Sequence, residues 1–376
     1  MSVKILTDEQ KGAFIHATYV VGKMIRNRAQ LDETRFEQFN FMYVMAGPDW
    51  KAKDFDISED DVMSRLVQNH SYPAGNSGNA LVPELIALAH QKKVKVLVSI
   101  PGSEQFNPVV SDGKKRDLFA RVMAAFVRKH DYDGIEIDWE HTVDIDQHAV
   151  LMADLCKALN AVAKADGPPS RMYFLTTALH SFRKYSLAQA QQLSRSVDWV
   201  NIMTYDMGGG IWDREPSHNT PLNGMKEALN NWSVFPRNKI CIGLANYGFR
   251  YKDISPGQKS ETSLKEKGRY FSYTELPQLL ESGWEESYDS VAEAPYYVSP
   301  DKTEFVTIDS KRSLSRKIEW VFKTQYRGVF WWEFQYDYFP PDAGQKYARH
   351  PLIDHVTDAI KMFAQDTSAD ASKPRR

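Results

Sequence analysis

Two cysteines, Cys156 and Cys241, are all that 376 residues contain. Two cannot build a disulfide framework, and neither lies at a metal-ligand spacing, so both read as small buried residues. No run of about 18 apolar residues occurs, which excludes a membrane-spanning helix. The chain lacks an excess of either charge, with 47 Lys and Arg against 49 Asp and Glu, and it lacks long basic runs. Both facts speak against a nucleic-acid partner. No GxGxxG follows the first apolar run, which weakens a dinucleotide-binding reading. The opening MSVKILTDEQ has no apolar stretch of signal-peptide length. Localisation stays open: secreted if a leader was removed, otherwise cytoplasmic or unconventionally exported.

What is present is a series of short apolar runs alternating with helical patterns. Strands are predicted at 12–20, 39–47, 94–100, 132–140, 172–180, 197–206, 239–248 and 328–334. Between them, SDGKKRDLFARVMAAFVRKH has Ser111 or Asp112 to cap its start, and DIDQHAVLMADLCKALNAVAK carries a Leu151, Leu155, Leu159 stripe. Strand–helix alternation predicts a parallel sheet covered by helices, and eight strands favour a closed (β/α)₈ TIM barrel over an open sheet. The seventh and eighth strands are separated by about eighty residues, too many for one crossover helix. A small α+β insertion is therefore expected at 249–313, with 1–248 and 314–365 forming the barrel and 366–376 a disordered polar tail. Insertions of this kind project from the C-terminal face of a barrel, beside the active site.

DGIEIDWE, residues 133–140, is the informative stretch. Period-two alternation puts Glu136, Asp138 and Glu140 on one face, about 6.5 Å apart per step. Ile135, Ile137 and Trp139 take the other face, against the helices. At an effective dielectric near 20, two charges at that spacing repel by about 2.5 kcal/mol, roughly two pKa units. The row cannot remain fully ionised at low cost. The expectation is that the top carboxyl, Glu140, keeps a proton near neutral pH, as a general acid must. On an isolated solvent-facing strand the same acids would be unremarkable, but strands of a parallel barrel have no wet face.

The stretch resembles the DxxDxDxE signature of glycoside hydrolase family eighteen, the chitinases and their relatives. VNIMTYD (200–206) resembles the family's sixth-strand motif, HNTPL (218–222) the loop after it, and IGLANYGFR (242–250) the seventh-strand stretch. GVFWWEFQYD (328–337) resembles the eighth strand with its tryptophan, Trp332. The segment between, with Tyr273, Trp284, Ala294-Pro295-Tyr296 and FVTIDSKRS, looks like the chitinase insertion domain.

The resemblance implies Glu140 as general acid and base, Asp138 as partner of the substrate's acetamido N–H, and Tyr205 as donor to the acetamido carbonyl. Trp332 forms the floor beneath the reacting sugar, and Met203, Asp206, Tyr247, Arg250, Tyr43, Trp212 and Trp284 are expected among the substrate-binding residues. It implies a retaining, substrate-assisted hydrolysis of β-1,4-linked N-acetylglucosamine in chitin or its oligomers, by a monomer with no metal, cofactor, nucleic-acid or membrane partner. The alternatives are a chitinase-like lectin, or an endo-β-N-acetylglucosaminidase acting on N-glycans or peptidoglycan. The sequence departs from the family in three places. Glu136 stands for the middle aspartate, Ser99-Ile100-Pro101-Gly102 for SxGG, and His141-Thr142 for the commoner Tyr-Pro.

Overall fold

The computed structural model describes residues 14–22, 25, 28–48, 50–68, 81–166, 172–340 and 349–371. Its strands in chain order are β1 (Ile15–Val21), β2 (Phe41–Met45), β3 (Lys95–Gly102), β4 (Gly134–Trp139), β5 (Phe174–His180), β6 (Trp199–Met203) and β7 (Ile240–Ala245), then β8 (Tyr247–Lys252), β9 (Gly268–Ser272), β10 (Glu285–Asp289), β11 (Ala294–Val298), β12 (Glu304–Thr307) and β13 (Gly328–Trp332). Eight of them close into a parallel barrel in the order β1-β13-β7-β6-β5-β4-β3-β2. The eight predicted strands are these eight, except that residues 12 and 13 of the first lie outside the described residues. Among the described residues no helix is long and apolar enough to cross a membrane.

The chain falls into two compact units. One contains the described residues up to Ile202 together with Trp232–Cys241; the other contains Met203–Asn231 and the described residues from Ile242 onward. In the first, β4 lies between β3 and β5, with Ser99 opposite Glu136 on one side and Thr176 opposite it on the other. Every residue of β4 is buried. Gly134 is required here because a Cβ would sit 2.1 Å from the Phe174 carbonyl oxygen. The helices flanking β4 start as their sequences dictate. Asp112 caps Gly113–Lys129 by accepting from the Lys114 and Lys115 amides, and Asp144 caps Ile145–Ala165 by accepting from those of Asp146 and Gln147.

In the second unit β8 to β12 form an antiparallel sheet in the order β10-β11-β12-β8-β9. Its first strand begins at Tyr247, two residues before the expected boundary. Gly248 lets β8 pass close to β12, since a Cβ there would meet the Thr307 carbonyl oxygen at 1.7 Å. The last helix, Pro351–Ala371, runs past Gln365 into the segment expected as a polar tail. Residues 372–376 lie outside the described residues.

Candidate active site

The first unit holds the acid row. Asp133, which opens the signature, is pinned from three sides: the Val96 amide at 2.9 Å, Lys95 Nζ at 3.1 Å and His90 Nε2 at 2.7 Å. Burial acts to raise its pKa, but the His90 and Val96 hydrogen bonds and the Lys95 charge outweigh it and leave the carboxyl below its usual range. Asp133 is thus an anionic staple joining β3 to β4.

Glu136 and Asp138 are fully buried. Burial pushes Glu136 up to about 7, against the opposing pull of Tyr19, Asn201 and Ser99 around its carboxyl. The Asn201 pull is explicit, Nδ2 donating to Glu136 Oε1 at 2.5 Å. Asn201 is oriented in turn by Tyr43, whose hydroxyl lies 3.4 Å from Asn201 Oδ1 and accepts from Trp199 Nε1 at 2.8 Å. Asp138 is held well above the ordinary aspartate value by burial first, then by the charges of Glu140 and Glu136. Its Oδ1 has no hydrogen-bond partner among the described residues. Both groups are raised because they are sealed from water. Glu140, the expected general acid at the top of the row, stands one residue beyond β4 with 38% of its side chain exposed.

The Glu140 amide donates to the Gly102 carbonyl at 2.8 Å, so the Pro101-Gly102 end of β3 braces the carboxylate-bearing turn. Gly102 is tight in its own right, since a Cβ would press on the Phe106 ring at 2.5 Å. Two histidines, from the end of β5 and from the residue after Glu140, flank the carboxylate. His141 Nε2 lies 3.4 Å and His180 Nε2 3.9 Å from Glu140 Oε2. Burial, with His141 and Arg183 nearby, pushes His180 down to about 4.

The second unit gathers another set. Tyr205 and Asp206 follow the end of β6, and Asp206 adopts a left-handed backbone with φ of 54°. Tyr247 donates its hydroxyl to Asp206 Oδ1 at 2.7 Å. Asn219, from the HNTPL loop, accepts from the Asp206 amide at 2.7 Å and donates to the Tyr247 carbonyl at 2.9 Å. The rings of Tyr205 and Tyr247 meet edge to face, 6.2 Å apart. The same loop is anchored by Thr220, whose hydroxyl donates to Asp309 Oδ2 and accepts from Lys317 Nζ, both at 2.7 Å. Lys317 and Asp309 form a buried ion pair. Met203 is buried, and of the adjacent tryptophans Trp331 is fully buried while Trp332 is partly exposed. The backbone after Trp332 is fixed by Asn246, which accepts from the Glu333 amide at 2.8 Å and donates to the Glu333 carbonyl at 2.7 Å.

Three of the expected substrate-binding residues are placed differently. Tyr43 is fully buried and supports Asn201, because its strand position faces the packed interior below the row. Trp284 belongs to a buried core cluster of the five-stranded sheet, with Phe271, Leu276, Tyr297, Val306 and Ile308. Arg250 is occupied, its Nε 2.6 Å from Glu304 and its guanidinium 5.2 Å from the Trp284 ring centroid. Trp212 does keep an open face, with 49% of its surface exposed. Sequence reasoning missed Asn201, Trp199, Tyr19, Asn219 and Asn246. Asn201, Asn219 and Asn246 lie inside motifs quoted above, and none carries a chemical signature of its own.

A closed parallel barrel, an acid row climbing one strand to a half-open carboxylate, and a Tyr-Asp pair past the sixth strand are the features of a family 18 glycosidase scaffold. Residues 23–337 match the family described as Glycosyl hydrolases family 18, and the chain belongs to that family. Chitinase A1 of Niallia circulans is 25% identical over 291 residues, covering 65% of this chain and 41% of that protein. Probable chitinase 2 of Drosophila melanogaster is 27% identical over 297 residues, covering 70% and 60%. The chain thus spans about two fifths to three fifths of the length of these relatives. Among solved structures, a family 18 N-acetylglucosaminidase from Paenibacillus barengoltzii has a TM-score of 0.70 at 23% identity, covering 92% of this chain and 100% of that one. A plant class V chitinase mutant from Cycas revoluta, in complex with (GlcNAc)3, has a TM-score of 0.73 at 19% identity, covering 92% and 99%. At such identities the structural likeness establishes the fold alone.

Proposed function

We propose that the chain is a retaining glycosidase that cleaves β-1,4-linked N-acetylglucosamine, in chitin or its oligomers, with Glu140 as general acid and base. The observation that carries this reading is the contrast along β4: two sealed carboxyls, Glu136 and Asp138, pushed upward by burial, beneath a third that reaches water. The relatives named as chitinases support the substrate class, as does the (GlcNAc)3 bound to the Cycas revoluta protein.

In the proposed reaction Glu140 protonates the glycosidic oxygen as the bond breaks. The substrate's own acetamido carbonyl attacks the anomeric carbon and forms an oxazolinium ion, so no second carboxylate nucleophile is needed. Asp138, whose Oδ1 is unpartnered, takes the acetamido N–H and holds that group in a near-attack pose. As positive charge develops on the ring, the ionised form of Asp138 is favoured, and its proton passes to Glu136, the next inward position down the strand, in its ionised form, which a pKa of about 7 keeps populated near neutral pH. Tyr205 donates to the acetamido carbonyl, and Trp332 supplies the apolar floor. Water then enters with Glu140 as base, and the product keeps the β configuration. The five-stranded sheet, β8 to β12, is read as the insertion expected after the seventh barrel strand.

The test is to digest chito-oligosaccharides and an N-glycan side by side, identify the products by mass, and follow the first-formed anomer by proton NMR. A β-anomer from the chito-oligosaccharide is expected. An α-anomer, or equal cleavage of unacetylated glucosamine chains, would overturn substrate assistance.

A further inference from the structure

Glu140 and His141 lie just past the end of β4, and their side chains come together. His141 adopts a left-handed φ of 51°, uncommon for a residue with a Cβ, and its Nε2 comes within 3.4 Å of the Glu140 carboxylate. Arg183 holds that turn, donating from Nη2 to the His141 carbonyl at 2.6 Å. From the neighbouring strand β5, His180 brings a third donor atom. Its ring stacks on Phe182 at 4.9 Å and on His141 at 5.4 Å, and its Nε2 is buried without a hydrogen-bond partner. A buried ring nitrogen in that condition calls for an explanation.

The three donor atoms lie within 4.8 Å of one another, two of the separations being 3.4 and 3.9 Å. Ligands at about 2.0–2.1 Å from a tetrahedral ion are separated by roughly 3.4 Å. Two of the three edges therefore already approach the spacing that such an ion demands. Two imidazoles and one carboxylate favour zinc, copper, nickel or cobalt over magnesium or calcium. With 71% of the His141 side chain exposed, the fourth position opens to water.

We propose that Glu140, His141 and His180 form a three-ligand site for a zinc-class divalent ion, and that the bound ion reversibly withdraws Glu140 from catalysis. A carboxylate whose lone pair is held by a metal cannot carry the proton for the leaving sugar. The site itself stands on geometry; only its inhibitory effect rests on the reading of Glu140 as the acid. Neither histidine belongs to the role set that the family resemblance assigns, and His141 stands where the family more commonly has tyrosine.

The test titrates the full-length metal-free chain with Co²⁺, read by the visible absorption of a tetrahedral ion, and with Zn²⁺ by calorimetry. In parallel, chito-oligosaccharide hydrolysis is followed with and without Zn²⁺ and after adding a chelator. One ion per chain is expected, with hydrolysis lost on Zn²⁺ addition and restored by the chelator. His141→Ala and His180→Ala should each weaken binding by at least the roughly 10–100-fold that loss of an outer-shell partner costs a metal site. His141→Ala removes an exposed side chain, so its result does not hinge on folding. Binding that survives both substitutions, or no binding below millimolar metal, would overturn the site. Tight, histidine-dependent binding that leaves hydrolysis untouched would retain the site and refute Glu140 as the acid.

Discussion

Asn201 donates its side-chain amide to the buried carboxyl of Glu136 at 2.5 Å, and Tyr43 and Trp199 fix which way that amide faces. The hydrogen bond favours the ionised form of Glu136 and works against burial, leaving the group at about 7. Its removal has a definite sign. In Asn201→Ala the Glu136 pKa rises further, and because Glu136 must be ionised to take the Asp138 proton, the acid limb of the pH–kcat profile moves to higher pH. The variant should also lose about 1–3 kcal/mol of stability. A limb that stays in place would remove Glu136 from the proton inventory of the reaction.

Glu136 also ties stability to pH. Its folded-state pKa of about 7 lies above the ordinary value of 4.5, so the folded chain binds more protons than the unfolded one between those limits. Its contribution is fully present below about pH 4.5 and is lost as pH rises through about 7, a swing of about 3 kcal/mol from this one group. Glu136→Gln should flatten that part of the profile, measured as urea unfolding midpoints across the window. An unchanged slope would assign the dependence to other groups.

Glu140→Gln should lower kcat on chito-oligosaccharides by about 10²–10⁴-fold while leaving oligosaccharide affinity near its original value, as read by calorimetry. A variant retaining a tenth of the activity would disqualify Glu140 as the acid. A thiazoline mimic of the oxazolinium should inhibit the unmodified chain, and indifference to it would count against an attacking acetamido group.

Two tryptophans should separate cleanly. Trp284→Ala empties a packed core and is expected to cost about 3–5 kcal/mol. Trp212→Ala removes an exposed ring and should change stability by less than about 0.5 kcal/mol while raising KM for longer oligosaccharides. Thermal melts and kinetics on oligomers of graded length distinguish the two.

The barrel and the acid row were legible because both rest on local periodicity: strands recur between helical stripes, and alternate residues of one strand share a face. Glu136, Asp138 and Glu140 declare themselves in eight consecutive letters. Asn201 does not, because its significance lies in meeting Glu136 across 65 positions and Tyr43 across 158. Aromatic identity likewise says nothing about which side of a sheet a ring faces. Tyr43 and Trp284 were expected at the sugar for that reason, and both are interior. The upward shift of Glu136 and Asp138 comes first from burial, and that burial comes from the walls around β4 rather than from β4 itself.

Lys317 lies sealed against Asp309 and Thr220, and Thr220 shares its short loop with Asn219, the residue that positions Asp206. An ammonium shut away in this manner is invisible to amine-acylating reagents until its surroundings open. Its labelling rate, read by peptide mass mapping against the exposed Lys323 as reference, would therefore clock how often this part of the chain breathes.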